Sequence, residues 1–320
     1  MQENSILTID ENEDDSRLDR VLSRHLGSSR RTLILRLIRK GNVRINKKRC
    51  KPQSRVACGD EIYLPASLRE PDEDPLAGAL GERSGELPAS LLDKVRDLPI
   101  LFEDENLLVV NKPAGLVVHG GSGHRAGLIE ALKVVRDLPD LRLAHRLDRD
   151  TSGVLLMAKN LAALRQLTES FRQREMQKTY FALVAGHPFA QAGCMQSCLS
   201  KGVVQGGERM VVDAAEGKES RTDYQVMMQL DRNGFDYAML ALKPHSGRTH
   251  QLRVQLQAEG HAILGDNKYA DKTQLAAYKA VGGSGLMLHA WRLRFQHPVN
   301  GKALEFKVVW PLNWSLLRRD

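Results

Sequence analysis

A polar segment of nine residues, His145 to Gly153, leads directly into the apolar run Val154 to Ala158. A short run of branched and apolar side chains behind turn residues predicts a buried β-strand, with Thr-Ser-Gly as the tight turn before it. Asp148 is therefore expected at the mouth of a folded core, near Arg146 and Arg149. Such a carboxylate can belong to an ordinary structural ion pair or can be a positioned nucleophile, and the segment alone leaves both open.

Length and composition exclude several classes of protein. A chain of 320 residues can form a large domain and a small one. Its first residues lack the basic region of a secretory signal, and no run of 18 apolar residues occurs, so we expect a cytoplasmic protein without membrane attachment. The four cysteines are too few and too unevenly spaced for a disulfide scaffold, and no Cys-x-x-Cys pair indicates a metal site. The glycine-rich segment 120–123 matches no phosphate-binding motif, so no nucleotide cofactor is expected.

Positive charge is concentrated near the beginning of the chain. Between residues 16 and 55 there are fourteen lysines and arginines and one acidic residue, Asp19. Apolar residues at helical spacing predict two helices, and strand-like pieces follow at 42–46 and 60–64, with Lys47-Lys48 as the turn between them. A solvated helix face is the ordinary explanation for a charge cluster, but such faces normally mix both signs. The pattern favours a polyanionic partner.

Two helices, a small sheet and a basic helix resemble the S4-type RNA-binding domain. This resemblance implies an RNA-binding surface whose cations neutralise phosphates and supply affinity without reading bases. The residues expected on this surface are Arg30, Arg31, Arg36, Arg39, Lys40, Arg44, Lys47 and Lys48.

A change of composition predicts two domains. Residues 65–98 combine prolines, glycines and scattered acids, which is typical of a flexible linker between an N-terminal domain at 1–64 and a second domain at 99–320. In the second domain strand and helix patterns interleave, which predicts an α+β fold on a mixed or antiparallel sheet. The predicted strands are 107–110, 154–158, 180–184, 221–228, 237–242, 286–295 and 304–309, and the predicted helices are 128–136 and 161–174.

Several stretches after residue 99 occur in an order that carries a family resemblance. They are His145-Arg-Leu-Asp-x-x-Thr-Ser-Gly153, Asn111-Lys-Pro-Ala-Gly115, Gln177-Lys-Thr-Tyr180, Gly247-Arg-Thr-His-Gln-Leu-Arg253, Gly260-His-Ala-Ile-Leu-Gly-Asp266 and Leu288-His-Ala290. Together they resemble the pseudouridine synthases of the RluA, RluC and RluD type. The segment from Val118 to Gly123 and the S4-like domain most resemble the RluC subgroup. The resemblance implies a mixed, mostly antiparallel sheet, and isomerisation of uridine to pseudouridine in RNA, without cofactor or metal.

The resemblance also assigns roles to residues. Asp148 is expected to be the nucleophile, attacking either ribose C1′ or uracil C6; it is ionised at pH 7 without help, since a free Asp has a pKa near 3.9. Arg253 is expected to pair with it, because His250 and Arg253 are three apart on a helix predicted to begin near Thr249. Tyr180 is expected to stack on the uracil. Arg146 is expected to fill the space left when the uridine swings out of folded RNA.

Other functions are compatible with parts of this pattern. The features that resemble the RluC subgroup favour large-subunit ribosomal RNA as the target. Transfer RNA stays open as a target, because an enzyme that modifies it would use the same catalytic residues. A non-catalytic RNA chaperone or ribosome-assembly factor would need only the basic domain. A metal-dependent hydrolase would use His145, Asp148, His250, His261 or His289, although their spacing forms no compact ligand motif. RNA is the expected partner in the first three cases, and two modules on a linker favour a monomer.

Overall fold

The structure, a computed structural model, divides into two compact units, Met1–Glu86 and Leu87–Asp320. It describes residues 5–9, 13–14, 16–26, 31–65, 68, 87–120, 126–188, 190–205, 208–213, 217–311 and 314. Arg30 and most of the predicted linker, residues 66–67 and 69–86, lie outside the described residues.

Within its described part, the first unit has two helices over a small antiparallel sheet, as the sequence predicted. The elements are β1 (Ser5–Thr8), α1 (Leu18–His25), α2 (Arg31–Lys40), β2 (Arg44–Ile45), β3 (Lys48–Arg49) and β4 (Glu61–Leu64). The strands lie in the order β1-β4-β2-β3. Leu22, Ile38 and Ile62 are fully buried in one cluster, so the apolar faces of both helices pack against the sheet.

The turn between β2 and β3 lies one residue earlier than predicted. Asn46 and Lys47 have φ values of 47° and 66°, and Lys48 is already the first residue of β3. Two-residue hairpin loops need positive φ at both central positions, which asparagine tolerates better than most residues. The prediction of a turn at Lys47-Lys48 is therefore wrong by one residue.

The second unit is built on one large mixed sheet. Its strands are β5 (Ile100–Glu103), β6 (Leu107–Lys112), β7 (Arg142–Leu143), β8 (Ser152–Ala158), β9 (Gln177–Ala185), β10 (Ala192–Gln205), β11 (Glu208–Asp213), β12 (Lys218–Arg232), β13 (Phe235–Pro244), β14 (Leu288–Gln296) and β15 (Ala303–Lys307). The order is β11-β10-β12-β13-β9-β14-β8-β6-β5, with β15 beside β14 and β7 beside β8. Only the β8–β14 pairing among the described strands is parallel, which confirms the predicted fold class.

Five helices accompany this sheet in the described part of the second unit. They are α3 (Ala89–Arg96), α4 (Leu128–Val135), α5 (Leu161–Arg172), α6 (Gln251–Ala258) and α7 (Lys272–Ala280).

Strand β8 is buried on both faces, which explains its uninterrupted apolar sequence. Leu155 and Met157 pack into a cluster with Leu128 of α4, while Leu156 on the opposite face packs with Leu167 of α5. A strand covered on both sides has no solvent face and therefore no alternating polar residues. The predicted buried strand after Asp148 is confirmed.

The predicted linker needs correction at its C-terminal end. Helix α3 places Val95 in the same core cluster as Leu132 of α4, and Leu98 is buried there too. Residues 87–98 therefore belong to the second unit, because their apolar side chains are covered by its core. The prolines and glycines that suggested a linker lie before this helix.

Several elements were not predicted. Strands β10 and β11 span Ala192–Gln205 and Glu208–Asp213, where glycines and polar residues hide the strand pattern, and helix α7 also had no clear apolar stripe. All four cysteines are free, as expected. No helix in the described ranges is long and apolar enough to cross a membrane.

Candidate active site

The turn before β8 is held by contacts to β14. Thr151 is buried, and its N–H donates to the carbonyl of Asp148 at 3.2 Å. Ser152 Oγ lies 2.8 Å from His289 Nδ1. Gly153 has a φ of 116°, and a Cβ there would lie 2.2 Å from the carbonyl oxygen of Ala290. Ser152 and Gly153 therefore permit the close pairing with β14, and Thr151 closes the loop that carries Asp148.

Two histidines of the family-like stretches are neutral framework residues. His145 Nε2 accepts from the N–H of Leu156 at 3.0 Å, and burial lowers the pKa of His145 to about 3. His289 Nε2 lies 3.2 Å from the carbonyl of Val308, so Nε2 carries the proton and Nδ1 accepts from Ser152. Burial lowers the pKa of His289 to about 4. Among the described residues, no group of acids, histidines or cysteines could hold a metal ion.

Lys112 joins the Asn-Lys-Pro-Ala-Gly segment to the loop of Asp148. Its side chain is fully buried, and Nζ donates to the carbonyls of Pro113, Leu116 and Arg149 at 2.9, 2.9 and 2.8 Å. Burial lowers the pKa of Lys112 to about 7, against the opposing charges of Asp150 and Asp148. The motif was visible in the sequence, but no local pattern showed that its lysine would hold the carbonyl directly after Asp148.

Asp148 lies beside two basic groups at the start of α6. Arg253 Nη1 donates to Asp148 Oδ2 at 3.3 Å, and His250 Nε2 lies 3.7 Å from the same oxygen. The Asp148 side chain is 29% exposed and that of Arg253 is 7% exposed, so the pair joins a buried cation to a carboxylate that faces outward. The predicted pairing of Arg253 with Asp148 is present. The helix begins at Gln251, however, and His250 precedes it with a φ of 55°.

A second carboxylate fixes the arginine. Asp266 is fully buried and accepts from Arg253 Nε and Nη2, each at 2.7 Å. The backbone N–H groups of Lys268 and Tyr269 donate to the same carboxylate at 3.0 and 3.2 Å. A two-point bond of this kind sets the plane of a guanidinium, which aims Nη1 at Asp148. The sequence carries Asp266 in one of the family-like stretches, but its contact with Arg253 was not predicted.

Tyr180 and Lys178 lie on the same face of β9, two residues apart. Burial raises the pKa of the Tyr180 hydroxyl, and the charge of Asp148 raises it further, so the phenol is neutral. Lys178 Nζ donates to the carbonyl of Ser246 at 3.0 Å, and burial lowers its pKa to about 8. Tyr180 therefore offers a ring close to the carboxylate, beside a partly buried lysine that sequence analysis had not singled out.

Asp148, Lys178 and Tyr180 line an open cleft of about 1130 Å³ in the second unit. A pocket of about 90 Å³ adjoins it, and Asp148, Tyr180 and Arg253 all line this pocket. The three predicted catalytic residues are therefore brought together from a loop, a strand and a helix, and the first and last of them are 105 residues apart in the sequence. An anionic group, an aromatic ring and a fixed cation at one pocket suit an attack on a planar ring compound.

The predicted RNA-contacting residues lie at several places. Arg146 is exposed at the rim of the cleft, and its Nη1 lies 3.2 Å from His119 Nε2. In the first unit the described side chains of the set are all exposed: Arg36, Arg39, Lys40, Arg44, Lys47 and Lys48. Arg31 is the first residue of α2, and Arg30 lies outside the described residues.

The chain belongs to the RNA pseudouridylate synthase family. That family matches residues 106–258, which include Asp148, Tyr180 and Arg253, and the S4 domain matches residues 16–62. The chain is thus an isomerase that converts uridine to pseudouridine in RNA, as the resemblance implied.

Individual relatives cover nearly the whole chain. The ribosomal large subunit pseudouridine synthase C of Haemophilus influenzae is 40% identical over 305 residues, which are 95% of this chain and 90% of that protein. The protein of the same name from Escherichia coli K12 is 40% identical over 318 residues, covering 98% and 94%. Among solved structures, human RNA pseudouridylate synthase domain containing 1 matches with a TM-score of 0.58 and 30% identity, covering 69% of this chain and 87% of that one.

Proposed function

We propose that this chain isomerises uridines of large-subunit ribosomal RNA, with Asp148 as the nucleophile. The observation that carries the proposal is the convergence of Asp148, Arg253 and Tyr180 at one pocket. The ribosomal target is supported by the names of relatives that match about nine-tenths or more of both chains.

Reaction at this pocket needs no electron transfer. The bond between ribose C1′ and uracil N1 breaks, the uracil turns, and a bond from C1′ to C5 forms. N1 gains a proton and C5 loses one, so the product is an isomer of the substrate. Asp148 attacks the uridine, and Arg253 holds the carboxylate in one orientation through Oδ2. Orientation is the gain here, because a reacting group that is held in one geometry needs no further ordering at the moment of attack.

Tyr180 has two supports for a role at the base. Its ring lines the pocket with Asp148, and its pKa is raised by burial, so the hydroxyl keeps its proton at neutral pH. We propose that the ring stacks on the uracil and keeps it from leaving after C1′–N1 cleavage, because base–aromatic stacking is independent of base identity.

The exposed cations of α2 and the β2–β3 turn supply RNA affinity in this proposal. They are Arg36, Arg39, Lys40, Arg44, Lys47 and Lys48; Arg30 and Arg31, which precede them in the sequence, are proposed for the same role. Arg146 at the cleft rim takes the place of the uridine that leaves the RNA stack. We also propose that the protein acts as a monomer in the cytoplasm, without a cofactor.

Release of tritium from RNA carrying [5-³H]uridine tests the function directly, because C5 loses its proton only when pseudouridine forms. Large-subunit ribosomal RNA and total transfer RNA are compared as substrates, with EDTA present in a parallel reaction. We expect release from the ribosomal RNA, unaffected by EDTA. Release from transfer RNA alone would contradict the ribosomal target. No release from either would favour an RNA chaperone.

A further inference from the structure

Four cations form a strip along the cleft, which we name the cleft strip: Arg174, Lys178, Lys243 and Arg248. In the described part of the chain, none of them pairs with a carboxylate. Other cations of the same cleft are engaged: Arg172 pairs with Glu169, and Arg292 pairs with Glu305. The cleft strip therefore holds positive charge that the fold leaves without an anionic partner.

Neither acid of the cleft forms an ion pair with the strip in the described part of the chain, although Asp223 lies directly opposite Lys243 in the β12–β13 register. Only Asp148 and Asp223 line the cleft among the described acidic residues. Asp148 contacts Arg253, and Asp223 lies 3.1 Å from Arg221 and 2.7 Å from His245. Cations in a concave surface attract anions more strongly than the same cations on a flat one, because the low-dielectric walls focus their field.

The backbone of Arg174 gives an independent reason to connect this strip with function. Arg174 has a φ of 62°, and it ends the turn after α5, where Glu175 N–H donates to the carbonyl of Ser170 at 3.0 Å. Glycine is the usual residue at this position, since a side chain there is strained. Strained residues that persist cluster at functional sites. An exposed arginine in place of glycine indicates that the charge at this point of the cleft is used.

The strip begins next to the catalytic pocket. Leu242 pairs with Tyr180 across β13 and β9, so Lys243, the next residue of β13, points to the sheet face opposite to that of Tyr180 and Lys178; both lysines line the cleft. Arg248 lines the pocket of Asp148 as well as the cleft. Phe171, which is half-buried, lines the same cleft. A path of cations with one aromatic residue is the arrangement used to follow a single strand of nucleic acid.

We propose that the cleft strip binds the phosphates of nucleotides on one side of the target uridine, so that an unpaired RNA strand runs from Tyr180 towards the end of α5. This inference rests on the proposed function. Binding at the strip holds the flanking strand open after the uridine has left its helix, which keeps the base at Asp148.

The test compares the double variant Arg174→Gln/Lys243→Gln with the wild-type protein, using ribosomal RNA labelled with [5-³H]uridine and a series of salt concentrations. Each phosphate contact contributes about 0.7–0.9 to the slope of log K against log salt, so losing two should lower the slope by about 1.4–1.8. We expect a higher KM for RNA and a lower single-turnover rate at saturating enzyme, because the flanking strand no longer keeps the uridine at Asp148. The variant Arg174→Lys keeps the charge, so its salt slope of RNA binding should stay close to that of the wild type.

Matched controls use cations of the same unit outside the cleft. The double variant Arg165→Gln/Lys279→Gln removes the same charge from α5 and α7 and should leave slope and KM as in the wild type. An unchanged slope in Arg174→Gln/Lys243→Gln, with the wild type active, would overturn the inference alone. Wild-type protein that releases no tritium would instead contradict the proposed function.

A second inference concerns His250 and rests on a different set of contacts. Tyr269 Oη accepts from the N–H of Val211 at 3.1 Å and lies 2.7 Å from His250 Nδ1. The Tyr269 hydroxyl proton is then free to donate to Nδ1, which leaves the proton of a neutral imidazole on Nε2. Nε2 is the atom that lies 3.7 Å from Asp148 Oδ2.

Both basic groups therefore approach the same carboxylate oxygen. Arg253 Nη1 and His250 Nε2 lie 3.3 and 3.7 Å from Oδ2, whereas Oδ1 has no polar contact within the described ranges. We infer that His250 is a positioning residue and that Oδ1 is the oxygen that attacks the uridine. The 3.7 Å separation closes to a hydrogen bond when RNA is bound, as happens to contacts that are long in free enzymes.

Single-turnover tritium release by His250→Ala, His250→Gln and Tyr269→Phe tests this role. We expect His250→Ala to lower the rate by about 10²-fold at saturating enzyme with unchanged RNA affinity, because the carboxylate is no longer held in one orientation. His250→Gln keeps an N–H donor and should recover part of the rate. The exposed His187→Ala is the control. A full rate for His250→Ala, or a loss confined to RNA affinity, would overturn the inference.

Discussion

The arginine at the catalytic pocket and the arginines of α2 have opposite environments. Arg253 is 7% exposed, with bonds to Asp266 and Asp148, whereas Arg36 and Arg39 are exposed on a helix face. A buried cation is fixed by its partners, so losing one partner leaves an uncompensated charge. An exposed cation acts through the electrostatic potential that it produces together with the charges around it. A single substitution at the buried arginine or its partners should therefore have a large effect. Single substitutions of exposed arginines should have small effects that add up.

The largest effect on stability is expected from Asp266→Ala. It leaves Arg253 buried without its two-point partner, and breaking a buried ion pair costs about 3–5 kcal/mol. Urea unfolding followed by circular dichroism measures the change in the free energy of unfolding. Asp140 is 78% exposed and lies 3.9 Å from Arg142, so Asp140→Ala is the control and should change stability by less than about 0.5 kcal/mol. Equal losses of stability in Asp266→Ala and Asp140→Ala would contradict the expected difference between a buried and an exposed ion pair.

Gly153→Ala should come next. An added Cβ would lie 2.2 Å from the backbone oxygen of Ala290, and φ is 116°, so we expect a loss of about 2–4 kcal/mol. Gly301 has a φ of 70° with open space around it, and Gly301→Ala should cost about 1–2 kcal/mol. Thermal unfolding of the two variants separates the close approach of β14 from backbone strain. If Gly153→Ala were as stable as Gly301→Ala, the close approach of β14 to Gly153 would be contradicted.

Substitutions on α2 should affect RNA binding and leave the fold unchanged. The triple variant Arg36→Gln/Arg39→Gln/Lys40→Gln should lower the salt slope of RNA binding by about 2–3, at about 0.7–0.9 for each phosphate. The single-turnover rate at saturating enzyme should stay at the wild-type value. Filter binding over a range of salt concentrations measures the slope, and an unchanged slope would show that this surface does not contact RNA.

The effect that is smallest at neutral pH, and grows as the pH falls, is a pH dependence of stability caused by His289. Burial lowers its folded pKa to about 4 from an ordinary value of 6.5. Between these values the unfolded chain binds the proton and the folded chain does not, so stability is present above pH 6.5 and is lost as the pH falls towards 4. The slope for one group is at most about 1.4 kcal/mol per pH unit. In urea unfolding, the stability of His289→Gln should fall less steeply with decreasing pH than that of the wild type. An identical fall would show that His289 does not cause the pH dependence.

Sequence patterns identified what depends on local order. The apolar run after Asp148 predicted β8, and the spacing in the first unit predicted two helices. Asp148, Tyr180 and Arg253 came from ordered motifs, and periodicity alone would have left each an ordinary residue. The family resemblance supplied the contact between Asp148 and Arg253, but it supplied no others across the fold, because Asp266 meets Arg253, and Lys112 meets the Arg149 carbonyl, only after the sheet has formed.

The central claim is that Asp148 is the nucleophile, and its most direct test is single-turnover tritium release by Asp148→Asn. The variant keeps the size of the side chain and can still contact Arg253, so it should remain folded and bind RNA as the wild type does. We predict a rate lower by about 10⁴-fold or more, as for the loss of a nucleophile in other enzymes. Release at the wild-type rate would contradict the account.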